Sequence, residues 1–258
     1  MLTVRFRSDG TVNTGTVDGH RITTDDATHR IGKVEILPPS EPTKIIAVGK
    51  NYRDHVRAIL GEVEKEEFPM LFFKPPSSIV GHGDDVIAPE SSHFLDYEAE
   101  LGVVIGERCS SVSEANALEY VEGYTCVNDV TARDWQHTEE QWARAKGFDT
   151  FCPIGPVVQT ELQESLDITC RVNGEVRQSS NTDELLFSIP ELVAEISGHF
   201  TLLPGDVIAT GTPAGTSAET IPMKEWSDRA GEGALEPGDT VEVEIETIGT
   251  LENQVRSP

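Results

Sequence analysis

No stretch of this chain is apolar for long enough to cross a bilayer. The longest aliphatic run, Leu101–Ile105, is far short of the roughly 20 residues a spanning helix needs. The N-terminal MLTVRFRSDG also lacks the apolar segment of a leader peptide, so a cytoplasmic protein with no membrane partner is expected. Cysteine is scarce: the four, at 109, 126, 152 and 170, are widely spaced with no CxxC, which excludes a zinc ribbon and a dense disulfide scaffold and predicts reduced core thiols. No GxSxG marks a serine hydrolase, and no P-loop or GxGxxG marks a nucleotide cofactor.

Positive charge is the other shortage. Twenty Lys and Arg stand against 45 Asp and Glu, for a formal net charge of -25. Such a chain repels the phosphate backbone, so nucleic acid is excluded as a partner. It also repels itself unless salt screens it, which fits the surface a halophilic archaeon carries. A hydrophobic share of 37%, with nine Phe, four Tyr and three Trp, still supplies a packed core for a folded protein.

Alternating apolar residues in LTVRF, TVNTGTV, HRITT and KVEIL predict short strands over residues 1–40, a small N-terminal β subdomain ended by the proline-rich segment 38–42. Residues 41–258 are expected to form a second, larger unit. Within it, KIIAVG and LGVVIG read as buried strands, and NYRDHVRAIL reads as a helix with Tyr52, Val56, Ile59 and Leu60 on one face. SVSEANALEYV reads as a capped helix, and LDITCRVNGEVRQ as a hairpin turning at Asn173-Gly174. Ser188, Pro190 and Glu191 open a capped helix that Gly198 ends, and TVEVEIETIG is the final strand. The acidic run 61–67 and the stretch 214–234 read as long surface loops. The absence of a βαβ rhythm points to a β-rich α+β fold with an antiparallel or mixed sheet.

In DYEAELGVVIG, Glu98 and Glu100 are two residues apart at the head of a strand, so both side chains leave from one face. Like charges this close repel unless a cation lies between them, and hard oxygen donors suit Mg²⁺, Mn²⁺ or Ca²⁺. The same spacing recurs at Glu62/Glu64, Glu64/Glu66, Glu242/Glu244 and Glu244/Glu246, where a solvated loop or strand face explains it. Context separates Glu98 and Glu100 from these: a third carboxylate, Asp129, ends the apolar strand YTCVN, and Arg133, Asp134 and Gln136 follow.

Eight blocks in order carry a resemblance to the fumarylacetoacetate hydrolase family over roughly residues 44 to 256: VGKNYRDHV, LFFKPPSSIVG, DYEAELGVVIG, GYTCVNDVTARDWQ, AKGFDTFCPIGP, VNGEVRQ, GDVIATGTPAG and PGDTVEVEIETIGTLENQV. The resemblance implies a mixed β-roll, a homodimer, and Mg²⁺, Mn²⁺ or Ca²⁺ held by Glu98, Glu100 and Asp129. It makes His55 a general base and Lys146 a stabiliser of developing negative charge. Arg133, Gln136 and Thr212 become substrate ligands, while Lys74 in FFKPP stays unassigned. The implied substrate is a small 2-oxo or β-diketo acid, chelated by the metal through its carboxylate and 2-oxo group so that an enolate is stabilised.

One departure bears on the reaction. Water-activating relatives pair the His with a Glu three residues later, and here that position is Ala58; Glu62 or Glu64 is the available substitute. The expected activity is C–C bond hydrolysis of an acylpyruvate or fumarylacetoacetate type. Its rivals are isomerisation of a 2-hydroxyhepta-2,4-diene-1,7-dioate type or decarboxylation of oxaloacetate, and, from another class, a non-catalytic acidic protein that binds cations at many weak sites.

Overall fold

The computed structural model describes all 258 residues, as nineteen strands and four short α-helices. The N-terminal alternation folds into an antiparallel meander of Leu2–Ser8, Thr11–Asp18, Arg21–Thr23 and Thr28–Arg30. Its first turn is Asp9-Gly10, with φ of 49° and 78°, the doubly left-handed geometry whose twist matches a two-residue hairpin. Leu2–Ser8 pairs on its other side with Cys152–Gln159, so the meander extends a twelve-stranded mixed sheet. That sheet continues through Val121–Asn128, Ala99–Ile105, Val207–Ala209 and Ile45–Gly49 to an edge at Met70–Lys74.

A five-stranded sheet packs against it, ordered Glu175–Asn181, Asp167–Val172, Thr240–Ile245, Gly249–Arg256 and Asp85–Ile87. Leu101, Val103 and Cys126 of the large sheet share one core with Ile168, Cys170, Val243 and Leu251 of the small one. All four cysteines are buried free thiols, as expected. The hairpin at Asn173-Gly174 forms with both residues at positive φ, and Glu242 and Glu244 lie on the wet side of their strand. No helix is long and apolar enough to cross a membrane.

Several local expectations are corrected. Residues Glu114–Tyr120 form a 3-10 helix, and Ser113 makes no side-chain cap; the segment buries only Ala117, too narrow a contact to favour an α-helical stripe. Leu60 is 53% exposed, because helix α1, Arg53–Leu60, buries the line of His55 and Val56 and stops at left-handed Gly61. The chain turns after Ile245 and adds one more strand, Gly249–Arg256, so TVEVEIETIG is not the last. The stretch 214–234 is no plain surface loop: Ser217, Ala218 and Trp226 are buried within it.

The capping box forms as expected at Ser188 and Glu191, but the helix it opens, Ile189–His199, runs through Gly198 and ends at extended Phe200. A Cβ at Gly198 would meet no atom within 4 Å. Gly198→Ala should therefore stabilise the protein by ~0.5–1 kcal/mol, the helix-propensity difference. That raises Tm by about 1–4 °C for a chain of this size, read by thermal denaturation; a drop would restore Gly198 as a terminator.

Candidate metal centre and catalytic cavity

Strand geometry builds the acidic cluster. Ala99 pairs with Asn128 and Glu100 with Val127, so Glu98 lies across from Asp129, whose N–H donates to the Glu98 carbonyl at 2.9 Å. Alternation puts Glu98 and Glu100 on one face, and the register adds Asp129 to it. All three are buried, and each offers an oxygen within 4.8 Å of the others, as the sequence predicts.

The chain also brings its own cations to this point, so a metal ion is not the only charge that offsets the repulsion. Lys146 Nζ donates to Glu98 Oε2 at 2.7 Å and to Asp129 Oδ2 at 2.6 Å. Lys74, left open by the sequence, is fully buried and donates to Asp129 Oδ1 and to the Lys146 carbonyl. Arg133 donates from Nε to Asp96 Oδ2 at 2.9 Å and from Nη1 to Gln136 Oε1 at 2.9 Å. Its Nη2 forms an ion pair with Glu98 Oε1 at 2.6 Å. Arg133 and Gln136 share a face of α2, Arg133–Thr138, and Lys146 sits in α3, Ala143–Gly147.

Three buried cations thus face four buried carboxylates, Asp96, Glu98, Glu100 and Asp129, and one negative charge is left over. It falls on Glu100. Burial raises its pKa well above 4.5, and the neighbouring Asp129 and Glu98 charges raise it further, against Lys146 and the Gly211 N–H at 2.9 Å. Glu98 goes the other way: burial pushes it up, but Lys146, Arg133 and His55 outweigh that and hold it down at about 2. The Lys146 ammonium is likewise penalised by burial and held charged by Asp129 and Glu98.

This donor set fits a hard divalent ion. Glu100 Oε1 accepts no hydrogen bond, and an incoming ion competes with Lys146 for Glu98 Oε2 and Asp129 Oδ2.

Glu98, Glu100, Arg133 and Lys146 line a cavity of about 240 Å³, whose wall also includes Lys50, His55, Phe72, Gln136, Trp142, Thr212, Met223 and Trp226. Thr212 reaches the wall, but its hydroxyl proton goes to the Ala99 carbonyl at 3.0 Å and its oxygen accepts from Gln178 Nε2 at 2.8 Å. Gly211 is needed at its place: φ is 100°, and a Cβ would come within 2.8 Å of Asn51 Cβ.

His55, buried on α1, has its partner after all. Glu219 Oε1 lies 2.6 Å from His55 Nδ1, and the Gly215 N–H fixes the other Glu219 oxygen at 2.9 Å. Glu62 and Glu64, which the sequence offers as substitutes for this partner or as a solvated acidic loop, line a separate groove beside Phe68. Glu219 is 164 positions from His55, and its turn, Ser217–Thr220, had no readable pattern. Asp96 and Gln178 were also passed over, though each lies inside a quoted block.

Because the Glu100 pKa is raised on folding, the folded chain keeps this proton to higher pH than the unfolded one. Glu100 therefore lowers stability as pH rises from 4.5 toward its folded value. Glu100→Gln should remove that pH dependence in the metal-free protein and raise its Tm at pH 8. The same change should weaken Mg²⁺ or Mn²⁺ binding by more than ~100-fold in titration calorimetry, since a direct ligand outweighs the 10–100-fold of an outer partner. Unchanged metal affinity would remove Glu100 from the donor set.

Residues 44–256 match the family described as Fumarylacetoacetate (FAA) hydrolase C-terminal. The chain is 44% identical to oxaloacetate tautomerase YisK of Bacillus subtilis, over 84% of this chain and 71% of that protein. Its structure is similar to 5-carboxymethyl-2-hydroxymuconate delta-isomerase from Mycobacterium smegmatis, with TM-score 0.87, 38% identity, and 100% and 99% of the two chains covered. It is also similar to fumarylpyruvate hydrolase from Pseudomonas aeruginosa, solved in complex with Mn²⁺ and pyruvate, with TM-score 0.73, 30% identity, and 87% and 92% covered. With the family match spanning most of its length and the acidic cluster assembled within it, the chain belongs to the fumarylacetoacetate hydrolase family.

Proposed function

We propose that this protein moves a proton on a small 2-oxo diacid, as a divalent-metal-dependent keto–enol tautomerase or isomerase. The observation that carries this is that one cavity is lined both by His55, which Glu219 backs at 2.6 Å, and by Glu98, Glu100 and Lys146. With Glu219 accepting from Nδ1–H, the His55 Nε2 lone pair is the one left for substrate, the arrangement of a general base. The base takes a proton from the carbon next to the 2-oxo group. The C–H electron pair becomes the C=C bond, and the oxo oxygen takes up the negative charge.

Lys146 and Arg133 are fixed positive charges close to where that charge develops, and being pre-positioned they need no reorganisation. Bound at Glu98, Glu100 and Asp129, a Mg²⁺, Mn²⁺ or Ca²⁺ ion would add Lewis-acid polarisation of the 2-oxo group. Return of the proton from His55 to oxygen or to another carbon completes tautomerisation or a double-bond shift. Gln136 and Thr212 complete the polar wall, and Phe72, Trp142, Met223 and Trp226 exclude water from the remainder.

The cavity is below the roughly 300–1,000 Å³ of drug-sized ligand pockets, which suits a small acid. Lys50 is the one permanent cation on its wall with no hydrogen bond or ion pair, and it offers a counter-charge to a second carboxylate. The relatives named for oxaloacetate and for a carboxymethyl-hydroxymuconate both act on acids with more than one carboxylate.

C–C hydrolysis is a second reading, favoured by the His55–Glu219 contact, which supplies the oriented histidine that Ala58 seemed to deny. We further read the protein as a homodimer and as adapted to high salt; a Tm that rises from low to multimolar KCl is the expected result, and equal stability at both would sink the halophilic reading.

Incubation with oxaloacetate and Mg²⁺ should accelerate keto–enol exchange, followed by ultraviolet absorbance and NMR. Glu219→Gln should lower kcat by about 10²–10⁴-fold, the range of general acid–base catalysis, whereas Glu62→Gln and Glu64→Gln should leave it within twofold. Fragments cleaved from an acylpyruvate, with no exchange on oxaloacetate, would favour hydrolysis instead.

A further inference from the structure

Asp96 is a fully buried carboxylate that the proton transfer above does not use. Its Oδ2 accepts from Arg133 Nε at 2.9 Å and from the Ala218 N–H at 3.0 Å. Its Oδ1 accepts from the Ser217 N–H at 3.0 Å and from the Tyr97 N–H at 3.0 Å. One side chain therefore holds the guanidinium that touches Glu98 and also the first two amides of the turn Ser217–Thr220, which carries Glu219.

The turn has no cap of its own, since Thr216 makes no side-chain cap bond and the buried Ser217 hydroxyl has no partner. Orphan amides at the start of a helical turn need an acceptor, and a carboxylate from a distant strand provides one here. The neighbouring Tyr97 adds a second tie, its hydroxyl donating to the Gly215 carbonyl at 3.0 Å, while the Gly215 N–H holds Glu219.

We propose that Asp96 is a positioning residue that holds Glu219 at His55, and so locks the base to the same support as the acidic cluster. This rests on the reading of His55 and Glu219 as the proton-transfer pair. Asp96→Asn is the informative change, because all four groups facing the carboxylate are donors. The amide NH₂ must then confront either the Arg133 and Ala218 pair or the Ser217 and Tyr97 pair, and in both cases the turn loses an acceptor.

The test is a double-mutant cycle read in kcat and KM, joined to the NMR resonance of the His55 Nδ1 proton in ¹⁵N-histidine-labelled protein. Asp96→Asn should lower kcat by about tenfold or more with Glu219 present, but by several-fold less in a Glu219→Gln background, where only the part that passes through Arg133 remains. It should also shift or broaden the Nδ1 proton signal. Equal loss in both backgrounds would overturn the proposal and assign Asp96 to Arg133 alone.

Ser217→Pro covers the case in which Asp96→Asn does not fold. It deletes one amide at a position where proline is tolerated, leaves Asp96 and Arg133 in place, and should move the same signal. A native Nδ1 signal in both variants would refute the positioning role whatever the activity. If Glu219→Gln keeps full kcat while Asp96→Asn still moves the signal, the proton-transfer reading fails and the hold of Asp96 on Glu219 stands.

Discussion

Three carboxylates buried within 4.8 Å of one another set the terms for this half of the molecule. In a poorly solvated interior such a group is tolerable only if cations or protons meet it. Lys74, Lys146 and Arg133 come to it from an edge strand and two short helices, each with its charged end buried. With Asp96 as a fourth buried carboxylate, they neutralise all but one charge, and the residue on which the excess falls, Glu100, is the one with an oxygen free toward the cavity. The chain's own cations therefore offset most of the cluster's charge and still leave it short of positive charge, a combination that suits a dication.

The His55 side of the cavity is built from different parts of the chain. Helix α1 places His55, and a buried turn from the stretch 214–234 brings Glu219 against it. Asp96 joins the two walls, because its oxygens bind both the turn and Arg133. In the proposed reaction, the tie that runs through Asp96 and Arg133 would keep the base and the anion-stabilising pole at a fixed separation while a substrate enters and leaves. That is the preorganisation on which enolate chemistry depends.

Much of the site was legible residue by residue. Glu98 and Glu100 share a face because any extended chain alternates, and the run of aliphatic residues behind them marks the strand as buried. The blocks that carried the family resemblance also held Asp129, Lys146, Arg133, Gln136, His55 and Thr212, and all but Asp129 reach the cavity wall, where Asp129 lies just behind. The local corrections share a cause: Ser113, Leu60 and Gly198 each carry a sound local signal for a cap, a buried face or a terminator. Tertiary surroundings decided each one: the segment around Ser113 buries a single residue, Leu60 is the exposed last residue of its helix, and nothing within 4 Å of Gly198 obliges the helix to stop there.

Rules that act over two to four residues, such as strand parity, turn chemistry and the capping box at Ser188 and Glu191, depend only on chain geometry, and the amino-acid order was enough to decide them. The pairing of His55 with Glu219, the burial of Lys74 and the four contacts of Asp96 span 37 to 164 positions along the chain, apart from the adjacent Tyr97 amide. No spacing in the sequence encodes them, because they follow from which strands become neighbours and how the two sheets close on each other; only the folded arrangement decides whether a given acid meets water, a lysine or a histidine.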